Sequence, residues 1–573
     1  MGFSLSRDDR EGVAQALDCR QTDAVLRSAL FPEQSTRRPC RPHAPPFVLK
    51  ETLMALSPWS VCRAAMALML VTTATLASAR AQDAAPASQQ PAAAQGGKSE
   101  TGGSRGKAAA ASSDAEQHRL PADSVTRHTL ALPGRSLSFA ATAGSIRLFN
   151  DKAEPQADIA YTAYQLDNAE ARTRPVTFLF NGGPGASSAW LQLGAAGPWR
   201  LPIFGEAAVA SATPALQPNA ETWLDFTDLV FIDPVGTGYS RLVASGDDVR
   251  KQFYSVDGDV DAIALTIRRW LEKHDRLLSP KYVGGESYGG IRGPRVVRNL
   301  QTRQGVGVKG LILVSPLLDF REYSGSSLLQ YVARLPSMAA AARQQKGPVT
   351  RTDLTDVEAY ARGEFLADLI KGEADQAATN RLADRVATLT GIDPAVSRRL
   401  AGRLDTSEFQ REFDRANGKV TGRFDASVLG FDPFPDSSDA QFSDPSADSL
   451  IAPLTSAAAE LTRNPLQWRP DGSYHLLNSS VAQQWDFGRG RNPVESLTQL
   501  REILAVDPKL QVLVTHGLFD LATPYFASQI AIDQLPPFAS KRIKLVTWPG
   551  GHMTYARDDA RKALRGEVGA MMK

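Results

Sequence analysis

The sequence predicts an α/β architecture, a mostly parallel sheet flanked by helices on both faces. Three observations carry that expectation. Near-continuous apolar runs of strand length recur along the chain, helical segments separate several of them, and the composition after about residue 118 stays even, with no second linker to divide it.

The elements are expected in the following order. Short β-branched runs open the folded part, "HTLAL", "GSIRLFN" and "ADIAYTAYQL", and read as an antiparallel meander. Runs suited to strands buried on both faces follow: "PVTFLF" (175–180), "DLVFI" (228–232), "KYVG" (281–284), "GLILVS" (310–315), "QVLVT" (511–515) and "RIKLVTW" (542–548). The clearest intervening helix is "VDAIALTIRRWLEKH", residues 260–274. The long interval between "GLILVS" and "QVLVT" has a helical, Pro- and Asp-rich texture and is expected to form a large helical lid insertion, about residues 321–495.

Upstream, "AAMALMLVTTATLASA" is an uncharged stretch of 16 residues between Arg63 and Arg80, followed by small residues that offer cleavage after Ala79 or Ala81. That layout predicts a signal peptide at about 54–81, with translation starting at Met54 and residues 1–53 a mis-assigned upstream extension expected to be disordered. The other reading is an uncleaved membrane anchor, for which the run is short. Residues 82–117 hold almost no large apolar side chain and are expected to be a disordered low-complexity linker, leaving 118–573 as one elaborated domain. Export would make the protein secreted or, in a bacterium, periplasmic.

Bulk chemistry narrows the function. Basic and acidic side chains number 64 and 62, a balance that argues against nucleic acid as a partner. The three cysteines, Cys19, Cys40 and Cys62, all lie upstream of the expected domain, and none of the seven histidines is followed by Glu, so no disulfide, metal or cofactor is expected. Oligomeric state is not legible.

The chemistry centres on "KYVGGESYGGIRGP" (281–294), where Ser287 sits in a GxSxG pattern between an expected strand and an expected helix. A sharp turn there projects the hydroxyl above the sheet edge beside a helix N-terminus. A second match at Ser104 lies in a Gly-rich polar tract without such a setting. A serine nucleophile needs a histidine base and an orienting carboxylate. Of the histidines after Ser287, His552 in "WPGGHMTY" follows the last strand on a free glycine turn, whereas His475 falls in the insertion and His516 ends a strand. Asp520 is the one carboxylate in "THGLFDLATPY", the loop after the penultimate strand; its other reading is a helix cap. The glycines of "LFNGGPGASSAW" allow backbone donors near a reacting carbonyl, and the N–H groups of Gly183 and Tyr288 are the expected oxyanion hole. The GxGxxG at Gly305–Gly310 precedes a strand, the wrong order for a dinucleotide site.

Taken together, "NGGPGASS", "FIDPVGTGYS", "GESYGG" and "GLFDLATPY…WPGGHM" resemble the serine carboxypeptidase family, the group of carboxypeptidase Y and cathepsin A, over roughly residues 130–573. The resemblance implies an α/β-hydrolase fold, a secreted bacterial branch of the family, and release of C-terminal amino acids from peptides by a triad of Ser287, Asp520 and His552. It also implies that Asn181, Gly182 and Glu286 bind the substrate's terminal carboxylate, Glu286 doing so while protonated; the plainer reading of Glu286 is an ordinary buried carboxyl. Two positions depart from the family pattern. Ala195 stands where a second glutamate is expected beside the first, and Ala186 replaces a cysteine. The first departure keeps an esterase or acyltransferase on the same scaffold in contention. A non-catalytic binding protein with a hydrolase shell is the remaining reading, against which all three triad positions are filled.

Overall fold

The apolar runs become strands because their side chains alternate between two separate cores. In the computed structural model, which describes residues 119–573 except 205–208, 324, 438–443 and 489–491, Phe178 and Phe180 enter one hydrophobic cluster while Leu179 enters another. Leu311 and Leu313 oppose Ile312 in the same manner, as do Val512 and Val514 opposite Leu513. A period of two with both faces apolar is the signature of a doubly covered strand. Each fully buried Leu or Phe contributes about 1.5–3 kcal/mol. The expected upstream extension, signal peptide and linker, together with the Ser104 pattern, lie outside the described residues.

The strands are β1 (Ser124–Leu132), β2 (Arg135–Phe149), β3 (Pro155–Leu166), β4 (Val176–Phe180), β5 (Asp228–Ile232), β6 (Lys281–Glu286), β7 (Gly310–Val314), β8 (Gln511–Gly517) and β9 (Ile543–Trp548). They lie in the order β1-β2-β3-β5-β4-β6-β7-β8-β9, and a two-residue strand, Arg241–Leu242, also pairs with β3. The first three form an antiparallel meander and β5 joins it antiparallel; every pairing from β5 onward is parallel. This mixed, mostly parallel sheet flanked by helices is an α/β-hydrolase fold, and it gathers the C-terminal ends of β4, β6, β7, β8 and β9 along one edge.

The longer helices are α1 (Val256–Lys273), α2 (Gly289–Thr302), α3 (Leu329–Gln344), α4 (Gln376–Thr390), α5 (Asp448–Arg463), α6 (Leu497–Val506), α7 (Tyr525–Asp533) and α8 (Asp558–Met571). α1, α2 and α6 cover one face of the sheet through Ile263, Trp270, Val297, Leu300 and Ile503, and α5 and α8 cover the other through Leu454, Leu461, Leu564 and Val568. α1 starts four residues before the expected boundary because Ser255 caps it, its Oγ accepting from Gly258 N at 3.2 Å. α2 tolerates Pro294 because the carbonyl that a residue there would have bonded, Gly290 O, accepts from Ser496 Oγ at 2.7 Å instead.

The segment between β7 and β8 forms mainly helices, as expected, plus a short hairpin, Lys419–Thr421 with Leu429–Phe431. Its core is shared: Leu335, Leu382 and Phe409 pack in one cluster with Leu518, Phe519 and Tyr525 from the loop and helix after β8. Among the described residues, no helix is long and apolar enough to cross a membrane.

Candidate active site

Ser287 leaves β6 with φ at +61°, the left-handed region that a non-glycine residue occupies at a cost and that a sharp strand-to-helix turn requires. The turn is fastened on both sides. Ser287 N donates to Val314 O at 3.0 Å, and Ser287 O accepts from Gly290 N and Leu317 N at 2.8 and 2.9 Å. Gly182 packs against this elbow so closely that a Cβ would lie 2.4 Å from Tyr288 N, which explains a glycine at that position.

Asp520 and His552 come together on the loops after β8 and β9. His552 Nδ1 donates to Asp520 Oδ2 at 2.8 Å, and both side chains are buried. Asp520 Oδ1 accepts from Ala522 N and Thr523 N at 2.8 and 2.9 Å. Thr523 Oγ1 lies 2.8 Å from Asp520 Oδ2 and 2.8 Å from Ser315 O. Asp520 does not cap α7, whose N-cap is Pro524; it closes the turn ahead of that helix. Ser315 Oγ donates to the carbonyl of His552 at 2.7 Å and so fixes that residue from the end of β7. Burial alone would lower the pKa of the imidazole; the Asp520 charge and hydrogen bond, with Glu286, outweigh it and hold His552 above the usual histidine range.

Ser287 and His552 line one cavity of about 420 Å³, together with Asn181, Gly182, Gly183, Glu286 and Tyr288. Among the described residues, Ser287 Oγ makes no hydrogen bond to the imidazole; such pairs commonly tighten around a reacting substrate. The N–H groups of Gly183 and Tyr288 donate to no protein acceptor among the described residues. The other two histidines stand elsewhere: His516 is buried in β8 with Nε2 2.8 Å from Ser528 Oγ, and His475 is exposed in the insertion.

Glu286 is buried, 3 % exposed, and burial pushes its carboxyl up to about 7; His552 and hydrogen bonds from Tyr555 and Asn181 pull it back only partly. Tyr555 OH donates to Glu286 Oε2 at 2.8 Å. Sequence reasoning missed this tyrosine, and missed Ser315 and Thr523. The Tyr555 ring lies against Gly194, whose Cβ would meet it at 2.5 Å, one residue from the buried Ala195. Tyr555 therefore supplies Glu286 with a neutral hydrogen-bond donor beside the position where the family pattern has a second acid. Asn181 is set between them by Leu191 N, which donates to its Oδ1 at 3.0 Å, and by the Arg292 guanidinium, which donates to its carbonyl.

Residues of the insertion close the site. Leu521 N donates to Arg423 O at 3.0 Å, Ala426 N to Phe519 O at 2.9 Å and His552 N to Phe424 O at 2.5 Å. The same two loops bond each other through Leu518 N to Trp548 O and Phe519 N to Gly550 O, at 3.0 and 2.9 Å. A Cβ on Gly551 would lie 2.1 Å from Phe424 O, so the contact is at its closest limit.

Comparison with known proteins finds similarity to one family. The family model described as serine carboxypeptidase matches residues 134–346, a stretch that includes Asn181, Gly182, Glu286 and Ser287 and ends before Asp520 and His552. Serine carboxypeptidase-like 13 of Arabidopsis thaliana is 31 % identical over 148 residues, 25 % of this chain and 33 % of that protein. The pheromone-processing carboxypeptidase KEX1 of Leptosphaeria maculans is 29 % identical over 187 residues, 30 % of this chain and 26 % of that protein. The chain thus spans about a third of the length of the first curated relatives it matches. A crystal structure of the prohormone-processing carboxypeptidase Kex1 from Saccharomyces cerevisiae superposes with a TM-score of 0.49 at 16 % identity, covering 76 % of this chain and 91 % of that one. The family model and the curated relatives show that the chain is similar to the serine carboxypeptidase family over part of its length.

Proposed function

We propose that the protein is a serine-type carboxypeptidase that releases C-terminal amino acids from peptides. The observation that carries the reading is one cavity lined by a left-handed Ser287, an Asp520-bonded His552 and a Glu286 carboxyl raised to about 7. In the reaction, Ser287 Oγ attacks the scissile carbonyl and passes its proton to His552 Nε2, while Asp520 stabilises the imidazolium. Gly183 N–H and Tyr288 N–H receive the oxyanion, His552 protonates the leaving amine, and water repeats the sequence on the acyl-serine. Glu286 in its neutral form, with Asn181 and Gly182, receives the terminal carboxylate. The insertion serves as the lid that shapes the cavity wall.

Ala195 favours a second reading, an esterase or acyltransferase, because the paired acids of the family pattern are reduced to one. The separating experiment follows hydrolysis of a blocked dipeptide and of its C-terminal amide and ester between pH 4 and pH 8, with Ser287→Ala as control. A free acid cleaved at least tenfold faster supports the carboxypeptidase; an ester cleaved as well or better moves the assignment to the second reading. We also propose export from the cell through the segment at 54–81, to a secreted or bacterial periplasmic location. The relatives named above come from a plant and from fungi, so this part rests on the sequence alone. N-terminal sequencing of exported protein that finds an intact upstream segment would overturn it.

A further inference from the structure

The catalytic cavity contains one permanent positive charge that the mechanism leaves without a task. Besides the phenols of Tyr288 and Tyr323, its wall carries one carboxyl, one imidazole and one guanidinium, those of Glu286, His552 and Arg423. Glu286 is bonded to Tyr555 and His552 to Asp520. Arg423 is exposed, and among the described residues its guanidinium makes no ion pair or hydrogen bond with the protein; its ring neighbour is Phe424, 5.8 Å from the guanidinium carbon. The nearby Asp444 carboxylate accepts from the backbone N–H of Arg423 at 2.9 Å rather than from its side chain.

The backbone that carries it is nevertheless held in a defined place. Arg423 O accepts from Leu521 N in the Asp520 loop, the next residue's carbonyl accepts from His552 N, and the Phe424 ring lies 5.2 Å from the imidazole. The anchored backbone fixes where the side chain starts, and the planar guanidinium fork suits a carboxylate, although ordering the side chain on pairing still costs rotamer freedom. Charge is also segregated. On the far side of Phe424 and Met553, a separate cavity of about 520 Å³ is lined by Asp425, Asp444 and Asp448 and, among the described residues, by no basic residue. An anionic substrate group is therefore repelled on one side of that partition and attracted on the other.

We propose that Arg423 binds a substrate carboxylate in the catalytic cavity, either the C-terminal one or an acidic side chain beside the cleaved bond. This deepens the carboxypeptidase reading, on which it rests, by giving the site a second carboxylate-recognising group where Ala195 has removed one. Arg423 is a binding residue and takes no part in proton transfer.

The test measures binding by calorimetry to the Ser287→Ala protein with and without Arg423→Met, each first matched for melting temperature. Three blocked dipeptides are compared: a free C-terminal acid with apolar side chains, its amide, and an amide with glutamate as the last residue. Arg423→Met is expected to weaken the free acid or the glutamate amide about tenfold relative to the plain amide, and which of the two responds identifies the source. Arg423→Lys should restore part of the loss. Equal effects on all three ligands, or no measurable binding of either anionic peptide, would overturn the inference. The two readings fail separately. If the wild-type protein hydrolyses nothing yet the binding pattern holds, the hydrolase assignment falls and Arg423 stands; if hydrolysis is present and Arg423→Met is indifferent to charge, the reverse is true.

Discussion

Glu286 occupies a poor place for a charge and a good place for a proton. Its pKa near 7 comes mainly from burial, and it shares the cavity with an imidazole held above its usual range. In the proposed carboxypeptidase reaction, cleavage of a free acid needs Glu286 protonated and His552 neutral, so kcat/KM should rise as His552 deprotonates and fall as Glu286 ionises, with apparent values belonging to the pair. The amide should lack the falling limb. Tyr555→Phe removes a donor that favours the ionised carboxylate, so the falling limb is expected about one pH unit higher, in line with a hydrogen bond to a charged group. A limb that stays in place while only KM changes would reduce Tyr555 to packing. Nothing local in the sequence could have shown this pairing, because Tyr555 and Glu286 are 269 residues apart. Asp520 and His552 were legible for a different reason: each stands on a short loop after a recognisable strand.

At the scale of elements, α1 and α2 are joined under the loop that follows β4 by a buried ion pair. Arg292 Nε donates to Asp259 Oδ2 at 2.6 Å, with side chains 0 % and 3 % exposed. Burial raises the Asp259 carboxyl and Arg292 pulls it back. Arg292 Nη2 already has no partner among the described residues, so little is left to satisfy the guanidinium if the acid goes. Asp259→Asn is therefore expected to cost about 3–5 kcal/mol in denaturant unfolding, and Asp259→Leu with Arg292→Met to recover much of it. A cost below about 1 kcal/mol for the single change would contradict a dry, unshared pair. The strands were readable because a doubly buried strand needs only its own apolar run. The positions of the helices in the insertion were not, since those helices bury their faces against Phe519 and Tyr525, which lie far away in sequence.

For the whole molecule, three raised acids and two lowered histidines pull stability in opposite directions. Burial pushes Asp233 and Glu286 up to about 7 and Glu322 to about 8, and pushes His274 and His516 down to about 4. For the acids, the folded state binds more protons than the unfolded one between the ordinary carboxyl range and pH 7–8, so stability falls as pH rises through that window. For the histidines, the unfolded state binds more protons between about pH 6.5 and pH 4, so stability falls as pH drops. Three groups against two, with both windows overlapping near pH 5.5, favour the acidic side. The melting temperature is expected to be several degrees higher at pH 5.5 than at pH 8, and Asp233→Asn to shrink that difference. A higher value at pH 8 would mean that other groups dominate the linkage.

The backbone bonds that run from Arg423, Phe424 and Ala426 to the loops of Asp520 and His552 bear on how such a protein could be re-engineered. The insertion looks like a cassette that could be exchanged for a relative's to change what the enzyme accepts. Its inner turn, however, is sewn to the loops of Asp520 and His552 through the main chain, where a change of side chains offers no compensation for a misfit. A chimera joined only at the outer ends of the insertion would inherit mismatched seams beside Asp520 and His552. Residues 422–426, 518–523 and 548–552 are best regarded as one transplantable unit, to be moved together or left alone.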